Sequence, residues 1–341
     1  MNFVKNRMTE EQNDKAPLVS VVIPCYNCEE FIQKAVTSAL EQTYANIELI
    51  LVDNNSTDGT SAILKRLEQE HSGKIHSYAE VVNGACAARN HGLYKAAGDW
   101  IQFLDADDEL LPDKVEGQLQ IALAAKTDVV VSDYCKVGAK QKSASPKKVV
   151  VEDDPWLGLI NSALGVTSAL LWRKENLLAV NGWDATLSSS QEYDLLFRLL
   201  TQGAKVSIDH RARTIIYGRP ESVSRTGSAD KLQQVLLNRY DLRRRIYDFL
   251  SEKEMLQPVY KKQLDAYLYY HLLLISEMNM PYFKEQVKSN EFGDIGIVDK
   301  LKVFSEFIRH SSKRKYGYSN KLLKLAEWQY FFCKNLYLLR F

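Results

Sequence analysis

The feature that most constrains the fold is an apolar run that passes directly into three acids, in the stretch I-Q-F-L-D-A-D-D at residues 101–108. The apolar part is typical of a strand buried on both faces, as in a parallel sheet. Open α/β sheets bind ligands at the carboxyl ends of their strands, where Asp105, Asp107 and Asp108 fall. Carboxylates this close repel one another, so a hard divalent cation with phosphate co-ligands would stabilise them. A solvated acidic turn before a helix near residue 112 is the alternative, because Asp is common at helix starts.

Three further apolar strands precede this stretch, separated by segments with a helical period. Strands are predicted at 19–23, 47–52 and 75–81, with Pro24 ending the first, and helices at 29–42, 61–70 and 84–97. This alternation predicts an α/β fold with a mostly parallel sheet. If the strands are parallel neighbours, the loops that follow them share one edge with the acids. That edge would offer an aromatic ring, amides, carboxylates and a helix N-terminus, which suit a nucleotide diphosphate with a metal.

Size and composition narrow the class of protein. The 341 residues are 45% hydrophobic and 26% charged, which is ordinary for a soluble globular protein, and the net charge of +1 gives no bulk attraction to nucleic acid. Neither G-x-G-x-x-G after the first strand nor a P-loop motif is present. The five scattered cysteines, including C-x-x-C at 25–28, are predicted to be reduced structural thiols. The sequence shows no apolar signal-peptide core and no run of eighteen apolar residues, so we expect a cytoplasmic protein.

Four motifs, in order along the chain, resemble those of the family 2 glycosyltransferases. They are V-S-V-V-I-P-C-Y-N at 19–27, V-D-N-N-S-T-D-G-T at 52–60, N-G through A-R-N-H-G at 83–92, and L-D-A-D-D at 104–108. Each motif is weak alone, but four in register are specific, and the resemblance runs from about residue 18 to residue 225. It implies the GT-A fold, inverting transfer of a sugar from a nucleotide-sugar to an acceptor hydroxyl, and a D-x-D motif that binds the donor through Mn²⁺ or Mg²⁺.

The resemblance also implies roles for individual residues. Asp107 would be the metal ligand, and Asp105 would face the ribose. The residues that would bind the donor nucleotide are Pro24, Tyr26, Asp53, Asn54, Gly84, Arg89 and Asp105.

One departure from the family pattern concerns the base of the nucleotide. The family usually has two acids in V-D-D-x-S, whereas this chain has Asp53 followed by Asn54. An amide oxygen accepts a hydrogen bond from a uracil or thymine N–H more weakly than a carboxylate does, which leaves the base open, with a UDP-sugar the favoured donor. The alternatives are packing of Tyr26 under its loop and an Asx turn at Asn54.

The second half of the chain carries the predicted catalytic base. After a predicted strand at 166–172, the sequence S-S-S-Q at 188–191 indicates a helix N-terminus. Glu192 and Asp194 would then lie in the first turn, exposed at the ligand edge, where the helix dipole favours acids. The family pattern E-D-x-D-L-x-x-R, aligned on Asp194 and Arg198, implies that Glu192 is the base. Asp194 would cap the helix and is the alternative base.

The segment at 215–225 resembles the Y-R-x-H-x-x-S-x-S pattern that closes the catalytic domain in this family. Arg219 stands where the family has His. Arg219 or Arg225 could clamp the diphosphate as a planar donor, and a surface arginine in a loop is the alternative.

The chain divides into a disordered leader at 1–16, a GT-A domain at 17–226 and a helical C-terminal region at 227–341. Helical periods are predicted at 232–250, 259–278 and 297–308. A basic cluster at 309–315 then precedes an aromatic segment at 322–341. That segment could make peripheral contact with an anionic membrane, or it could pack on the catalytic domain or on a second subunit of a homodimer.

These observations predict a metal-dependent inverting glycosyltransferase of cell-surface polysaccharide or other glycan synthesis, acting on a glycan or lipid-linked acceptor. A nucleotidyltransferase would need a Gly-rich, basic loop after the first strand, and residues 24–27 are not one. The alternative outside enzymes is a sugar-nucleotide-binding or membrane-associated scaffold without catalysis. The acids Asp105, Asp107 and Glu192 argue against that alternative.

Overall fold

The structure is a computed structural model, and it describes residues 16–138, 146–218, 229–289, 295–316 and 333–340. The strands are β1 Val19–Cys25, β2 Ile47–Asp53, β3 Ile75–Ala79, β4 Trp100–Phe103, β5 Glu109–Leu110, β6 Val129–Ser132, β7 Tyr134–Val137, β8 Lys147–Val149, β9 Leu171–Arg173, β10 Val206–Asp209 and β11 Thr214–Tyr217. The helices are α1 Ile32–Leu40, α2 Thr60–Glu70, α3 Ala85–Lys95, α4 Lys114–Ala125, α5 Pro155–Asn161, α6 Lys174–Ala179, α7 Gln191–Thr201, α8 Ala229–Glu252, α9 Pro258–Ser276, α10 Met280–Ser289 and α11 Ile297–Tyr316.

Seven strands form the central sheet, in the order β10-β6-β9-β4-β1-β2-β3. Neighbours pair in parallel except at β9, which is antiparallel to both β4 and β6. The predicted α/β fold with a mostly parallel sheet is therefore confirmed. A second sheet has the order β5-β11-β7-β8. Because β5 directly follows the acids at 105–108 and pairs with β11, this sheet joins the acidic turn to residues 214–217.

Hydrophobic side chains cover both faces of the central sheet. From β1, Val19, Val21 and Ile23 enter a core shared with α1, α2 and α4. Val22 points the other way, into a core shared with α3, α7 and α8. Burial on both faces explains why the strands are apolar almost throughout rather than alternating with polar residues.

The first strand continues past the proline that was predicted to stop it. Pro24 lies within β1 and pairs with Val52 of β2. The backbone of Val22 faces β4, because its carbonyl accepts a hydrogen bond from the Leu104 N–H. Backbone direction repeats every two residues in a strand, so the backbone of Pro24 also faces the β4 side. β4 has ended by that point, so the N–H that proline lacks would have had no strand partner there.

The predicted strand at 166–172 is only partly correct. Residues Thr167–Ala169 form a 3₁₀ turn, and the strand itself is β9, Leu171–Arg173. Side chains donate hydrogen bonds to the carbonyl groups of residues 168–170, as described below. These carbonyl groups therefore do not need hydrogen bonds from a neighbouring strand.

The C-terminal helices pack directly on the α/β part. From α8, Leu242, Ile246 and Leu250 enter the core on the α7 side of the sheet. The N-terminal half of α8 contributes Leu236 and Tyr240 to a separate core with α9, α10 and α11. Each buried leucine or isoleucine stabilises this packing by roughly 1.5–3 kcal/mol, so we expect α8 to be an integral wall of the protein.

The described end of the tail packs on protein. Leu338 is buried in the helical core, and its carbonyl accepts a hydrogen bond from the Tyr269 hydroxyl at 3.4 Å. The rest of the predicted membrane segment, residues 322–332, lies outside the described residues, as does the leader up to residue 15. Of the helices that the structure describes, none is both long and apolar enough to cross a membrane. Cytoplasmic location, peripheral membrane contact and dimerisation stay predictions.

Candidate active site

Four parallel strands deliver their loops to one edge of the central sheet. β1, β2, β3 and β4 are neighbours in parallel pairing, so the segments after Cys25, Asp53, Ala79 and Phe103 lie at the same edge. The predicted convergence of the motif loops is therefore confirmed. Tyr26 is 63% exposed in the loop that follows β1. Its side chain is thus accessible for stacking on a base, which stays a prediction.

Asn54 joins two of these loops. Its side-chain NH₂ donates to the carbonyl oxygens of Glu80 and Val82, at 3.0 and 2.7 Å. Its side-chain oxygen accepts from the Gly84 N–H at 2.7 Å, and the residue is 5% exposed. This arrangement differs from the predicted base contact, because the amide is buried and already bonded within the protein. The loop at 80–84 therefore has a fixed position over the end of β2.

Two other predicted donor residues have structural partners at the same edge. Asp53 accepts a hydrogen bond from the Ser56 N–H at 3.1 Å, which closes the turn after β2. Gly84 precedes α3 with φ of 128°, a conformation that strains any residue with a Cβ. Because the Gly84 N–H is bonded to Asn54, it is not the open anion-binding donor that a helix N-terminus would offer.

Arg89 from α3 and Asp105 form a partly buried ion pair. Arg89 Nη2 donates to Asp105 Oδ1 at 2.6 Å, and the two side chains are 7% and 37% exposed. The guanidinium also lies 4.8 Å from the centre of the Trp183 ring. Asn90 holds Trp183 in place by accepting from its N–H and donating to its carbonyl, both at 2.8 Å. Arg89 is buried, and its geometry indicates that it orients Asp105; its predicted contact with the nucleotide stays a prediction.

The D-x-D segment is a tight turn clamped by Ser168. The Asp105 carbonyl accepts from the Asp108 N–H at 2.9 Å. The Ser168 hydroxyl accepts from the Asp105 N–H at 3.0 Å and donates to the Asp108 carboxylate at 2.7 Å. Burial raises the pKa of Asp108 well above its usual value, and the charges of Asp105 and Asp107 raise it further. Asp107, half-buried, lies between these two acids at the turn.

A set of buried side chains fixes the backbone around Ser168. Donors from four parts of the chain bond to the carbonyl oxygens of residues 168–170. They are Gln102 and Thr214 to residue 168, Gln118 and Ser132 to residue 169, and Lys114 to residue 170. The Ser168 hydroxyl therefore has a defined position from which to hold the D-x-D turn.

Glu192 lies at the N-terminal end of α7, facing the same edge. Its side chain is half-buried, and this burial raises its pKa above the usual value. The charge of Arg89 lowers this pKa and that of Asp105 raises it, both by less than burial does. A carboxyl group with a raised pKa holds a proton more tightly than an exposed one, which suits a general base. The role of Glu192 as the base stays a prediction.

Asp194 was predicted to be exposed, and this prediction was wrong. Its side chain is 3% exposed and accepts hydrogen bonds from Arg198 of α7 and Arg245 of α8, each at 2.7 Å. No side chain caps the start of α7, where Ser190 has positive φ. Asp194 points into the protein because helical residues two apart face different directions. Its geometry therefore favours a structural link between α7 and α8 over the alternative role as base.

The chemistry of the D-x-D turn fits a hard divalent cation that is also bound by its substrate. The turn offers carboxylate oxygens, which Mn²⁺ and Mg²⁺ prefer. No group of three or more His, Cys, Asp or Glu could hold a metal by itself in the described ranges. An ion at Asp107 would therefore complete its coordination with phosphate oxygens and water. The predicted diphosphate contacts, Arg219 and Arg225, lie outside the described residues.

Sequence reasoning missed two supporting residues of this site. Ser168 lies in a segment that was predicted to be an ordinary strand, and its pattern gave no signal of a clamp. Trp183 stands in N-G-W-D, where Gly182 has positive φ and a Cβ there would lie 2.4 Å from the Asn90 side-chain oxygen. A glycine that precedes a tryptophan between predicted helices could have indicated this close approach.

Comparisons with known proteins agree with these findings. The sequence model of the family described as "Glycosyl transferase family 2" matches residues 20–174. An uncharacterized glycosyltransferase of Rickettsia typhi is 32% identical over 64% of this chain and 69% of its own length. The putative teichuronic acid biosynthesis glycosyltransferase TuaG of Bacillus subtilis is 44% identical over 31% of this chain, but the aligned part is only 42% of TuaG.

A solved structure has the same fold. The crystal structure of residues 1–349 of S. aureus TarS, in complex with UDP-GlcNAc, superposes with a TM-score of 0.58. The superposition covers 86% of this chain and 81% of the TarS chain, at 17% sequence identity. Residues 1–218 make up less than two thirds of the chain. Because the superposition covers 86% of the chain, it also includes part of the C-terminal helices.

Proposed function

Because this chain belongs to the family 2 glycosyltransferases and has their GT-A fold, we propose that it transfers a sugar from a nucleotide-sugar to a hydroxyl group of a glycan acceptor. TarS binds UDP-GlcNAc and UDP, which supports a UDP-sugar as the donor. The name of TuaG supports a role in polysaccharide synthesis. The donor sugar, the acceptor and the linkage are the parts that experiment must supply.

The observation that carries this proposal is the carboxyl edge of the sheet, where Ser168 and Arg89 hold the D-x-D turn and where α7 begins with Glu192 in its first turn. A sugar hydroxyl is a weak nucleophile, and its proton must leave as the new bond forms. Glu192 would accept that proton, since it lies in the first turn of α7, at the edge of the sheet where the donor is proposed to bind. A single base of this kind supports direct displacement with inversion at the anomeric carbon, in which the acceptor oxygen bonds to carbon as the nucleoside diphosphate departs.

Asp107 is the residue proposed to hold Mn²⁺ or Mg²⁺. The bound ion would act as a Lewis acid that neutralises the charge of the leaving diphosphate. The other residues of the site prepare this position. Ser168 and Arg89 hold Asp105 and Asp108 on either side of Asp107, so little reorganisation is needed when the donor binds.

The test is a panel of UDP-, GDP- and dTDP-sugars, each measured with Mn²⁺ for its effect on the melting temperature. Ligand-linked stabilisation rises with concentration over dissociation constant, so a true donor should stand out. Release of the nucleotide should then depend on an added acceptor oligosaccharide. Asp107→Asn should lose most of the Mn²⁺-dependent donor binding, because a neutral amide is a poor ligand for a hard cation.

Two results would contradict parts of the proposal. Unchanged donor affinity in Asp107→Asn would remove the metal assignment. Tight donor binding without turnover on any glycan in the panel would favour the non-catalytic alternative, a sugar-nucleotide-binding scaffold.

A further inference from the structure

Helix α8 lies against the helix that carries the proposed base. The Asn238 side chain donates to the Ser188 hydroxyl at 3.1 Å, four residues before Glu192. Further along α8, Arg245 binds Asp194 at 2.7 Å. The segment of α8 between these two contacts therefore runs alongside the start of α7. Glu192 lies in the first turn of α7, next to this segment in the fold.

Within that segment, Arg243 is a buried cation that pairs with no carboxylate among the residues that the structure describes. It is fully buried and donates to the carbonyl oxygens of Ile160 and Leu159, at 3.1 and 2.9 Å, and to the Ser162 hydroxyl. Its Nη1 has no hydrogen-bond partner. The bonds to neutral groups solvate the guanidinium but do not cancel its charge. The guanidinium lies 6.0 Å from the ring of Tyr193, the residue next to Glu192.

Arg239 lies one helical turn before Arg243, on the same face of α8. It is exposed, and it makes no ion pair with any residue that the structure describes. The neighbouring residue, Asn238, is the one bonded to Ser188. The exposed Arg239 and the buried Arg243 therefore follow one another along α8, close to the start of α7 that carries Glu192.

Neutral groups complete the surroundings of this pair. Tyr267 packs its ring 4.2 Å from Arg243 and 4.1 Å from the ring of His271. Burial lowers the pKa of His271 to about 3, and the two arginines contribute to the lowering, so this histidine is neutral at pH 7. The described groups that contact Arg243 are therefore uncharged, so its positive charge adds to that of Arg239 in attracting an anion.

We propose that Arg239, backed by the buried Arg243, forms an acceptor subsite beside Glu192 that binds an acidic group of an anionic glycan. This inference rests on the proposed function for the role of Glu192, and it adds the chemical class of the acceptor. The guanidinium of Arg239 would bond a carboxylate or phosphate oxygen, and a hydroxyl on a neighbouring sugar would reach Glu192. The C-terminal helices would then contribute to substrate choice.

The experiment measures oligosaccharide binding to the full chain by calorimetry, in the absence of donor. The probes are tetragalacturonate, which carries carboxylates, a tetramer of glycerol phosphate, and neutral maltotetraose. We expect at least one anionic probe to bind about tenfold more tightly than maltotetraose, with the affinity falling as NaCl is raised. The two anionic probes distinguish a carboxylate from a phosphate as the recognised group.

Arg239→Gln should abolish this preference, and Arg244→Gln is the matched control. Arg244 is on the same helix, but it pairs with Asp248 at 3.3 Å. Equal binding of neutral and anionic probes would overturn the inference, as would an unchanged preference in Arg239→Gln. A loss of UDP-GlcNAc affinity in that variant with unaltered oligosaccharide binding would also overturn it, because Arg239 would then serve the donor. Anionic binding in a protein that binds no nucleotide-sugar would sustain the subsite and refute the proposed function instead.

Discussion

The donor side and the base side of the site are built in different ways. On the donor side, Asn54 bonds to residues 26 to 30 positions away, and Arg89 bonds to Asp105 across 16 positions. On the base side, Asp194 reaches Arg245 across 51 positions, and Arg243 reaches Ile160 across 83. The first set joins consecutive loops of a parallel sheet. The second joins the catalytic part to a helix that follows it.

This difference has a physical origin. Consecutive β-α units of a parallel sheet place their loops at the same edge automatically, so short polar motifs suffice to build a nucleotide site there. Glu192 has no such neighbouring strand end to position it. It depends on the packing of α7 between the sheet and α8, with Asp194 and Arg243 as polar anchors. Substitutions on the two sides should therefore have different effects. On the base side they should change turnover or stability, and on the donor side they should also change the Mn²⁺ requirement.

The largest effect is expected at Glu192. Glu192→Gln keeps the size and polarity of the side chain but cannot accept the acceptor's proton. It should lower turnover by about 10²–10⁴-fold while the affinity for the nucleotide-sugar stays the same. Single-turnover rates at saturating donor and acceptor measure the first quantity, and the melting-temperature shift measures the second. Near-normal turnover in this variant would show that another group is the base.

Asp194 should affect stability rather than chemistry. Asp194→Asn removes the charge that pairs with Arg198 and Arg245, and should cost about 2 kcal/mol of the free energy of unfolding, since both arginines are partly exposed. Asp248→Asn, which breaks the exposed pair with Arg244, is the control and should change it by less than about 0.5 kcal/mol. Urea titrations measure both. If Asp194→Asn were instead stable and inactive, the alignment would be off by two residues, and Asp194 would be the base.

On the donor side, substitution of Ser168 should lower the stability of the protein and raise the Mn²⁺ concentration that activity requires. Ser168→Ala leaves the Asp105 N–H without its side-chain partner and removes the shorter of two hydrogen bonds to the buried Asp108 carboxylate, which costs about 1–3 kcal/mol. Because the turn around Asp107 would loosen, the Mn²⁺ concentration for half-maximal activity should rise several-fold, by about 1 kcal/mol of binding. Ser132→Ala is the matched control, since Ser132 bonds to the same buried segment at residue 169. An equal shift in the Mn²⁺ requirement of both variants would reduce Ser168 to a purely structural residue.

The two sides also differ in how well they could be predicted from the sequence. The strands and helices up to residue 104 were predicted closely because buried parallel strands are β-branched and apolar, and because the helices between them have a clear period. The burial of Asp194 was not foreseen, since its partner Arg245 lies in another helix and a sequence pattern reports only local spacing. Likewise, Asn54 and Arg89 were predicted as ligand contacts from their motifs. Their type and position fit the prediction, but only the structure shows that the Asn54 amide bonds to the loop at 80–84 and that Arg89 bonds to Asp105.

The smallest effect concerns pH and stability at Glu192. Burial raises the pKa of this carboxyl above its usual value of 4.5, so the folded state holds the proton more tightly than the unfolded chain does. The stability that this group contributes is fully present below pH 4.5 and is lost as the pH rises through the raised pKa. Glu192→Gln has no such loss. The variant should gain in free energy of unfolding relative to the wild type between pH 4.5 and pH 7, and the gain should level off once Glu192 is ionised. Urea titrations of both proteins across this range measure the difference. A gain that is the same at every pH would mean that burial does not perturb the pKa of Glu192.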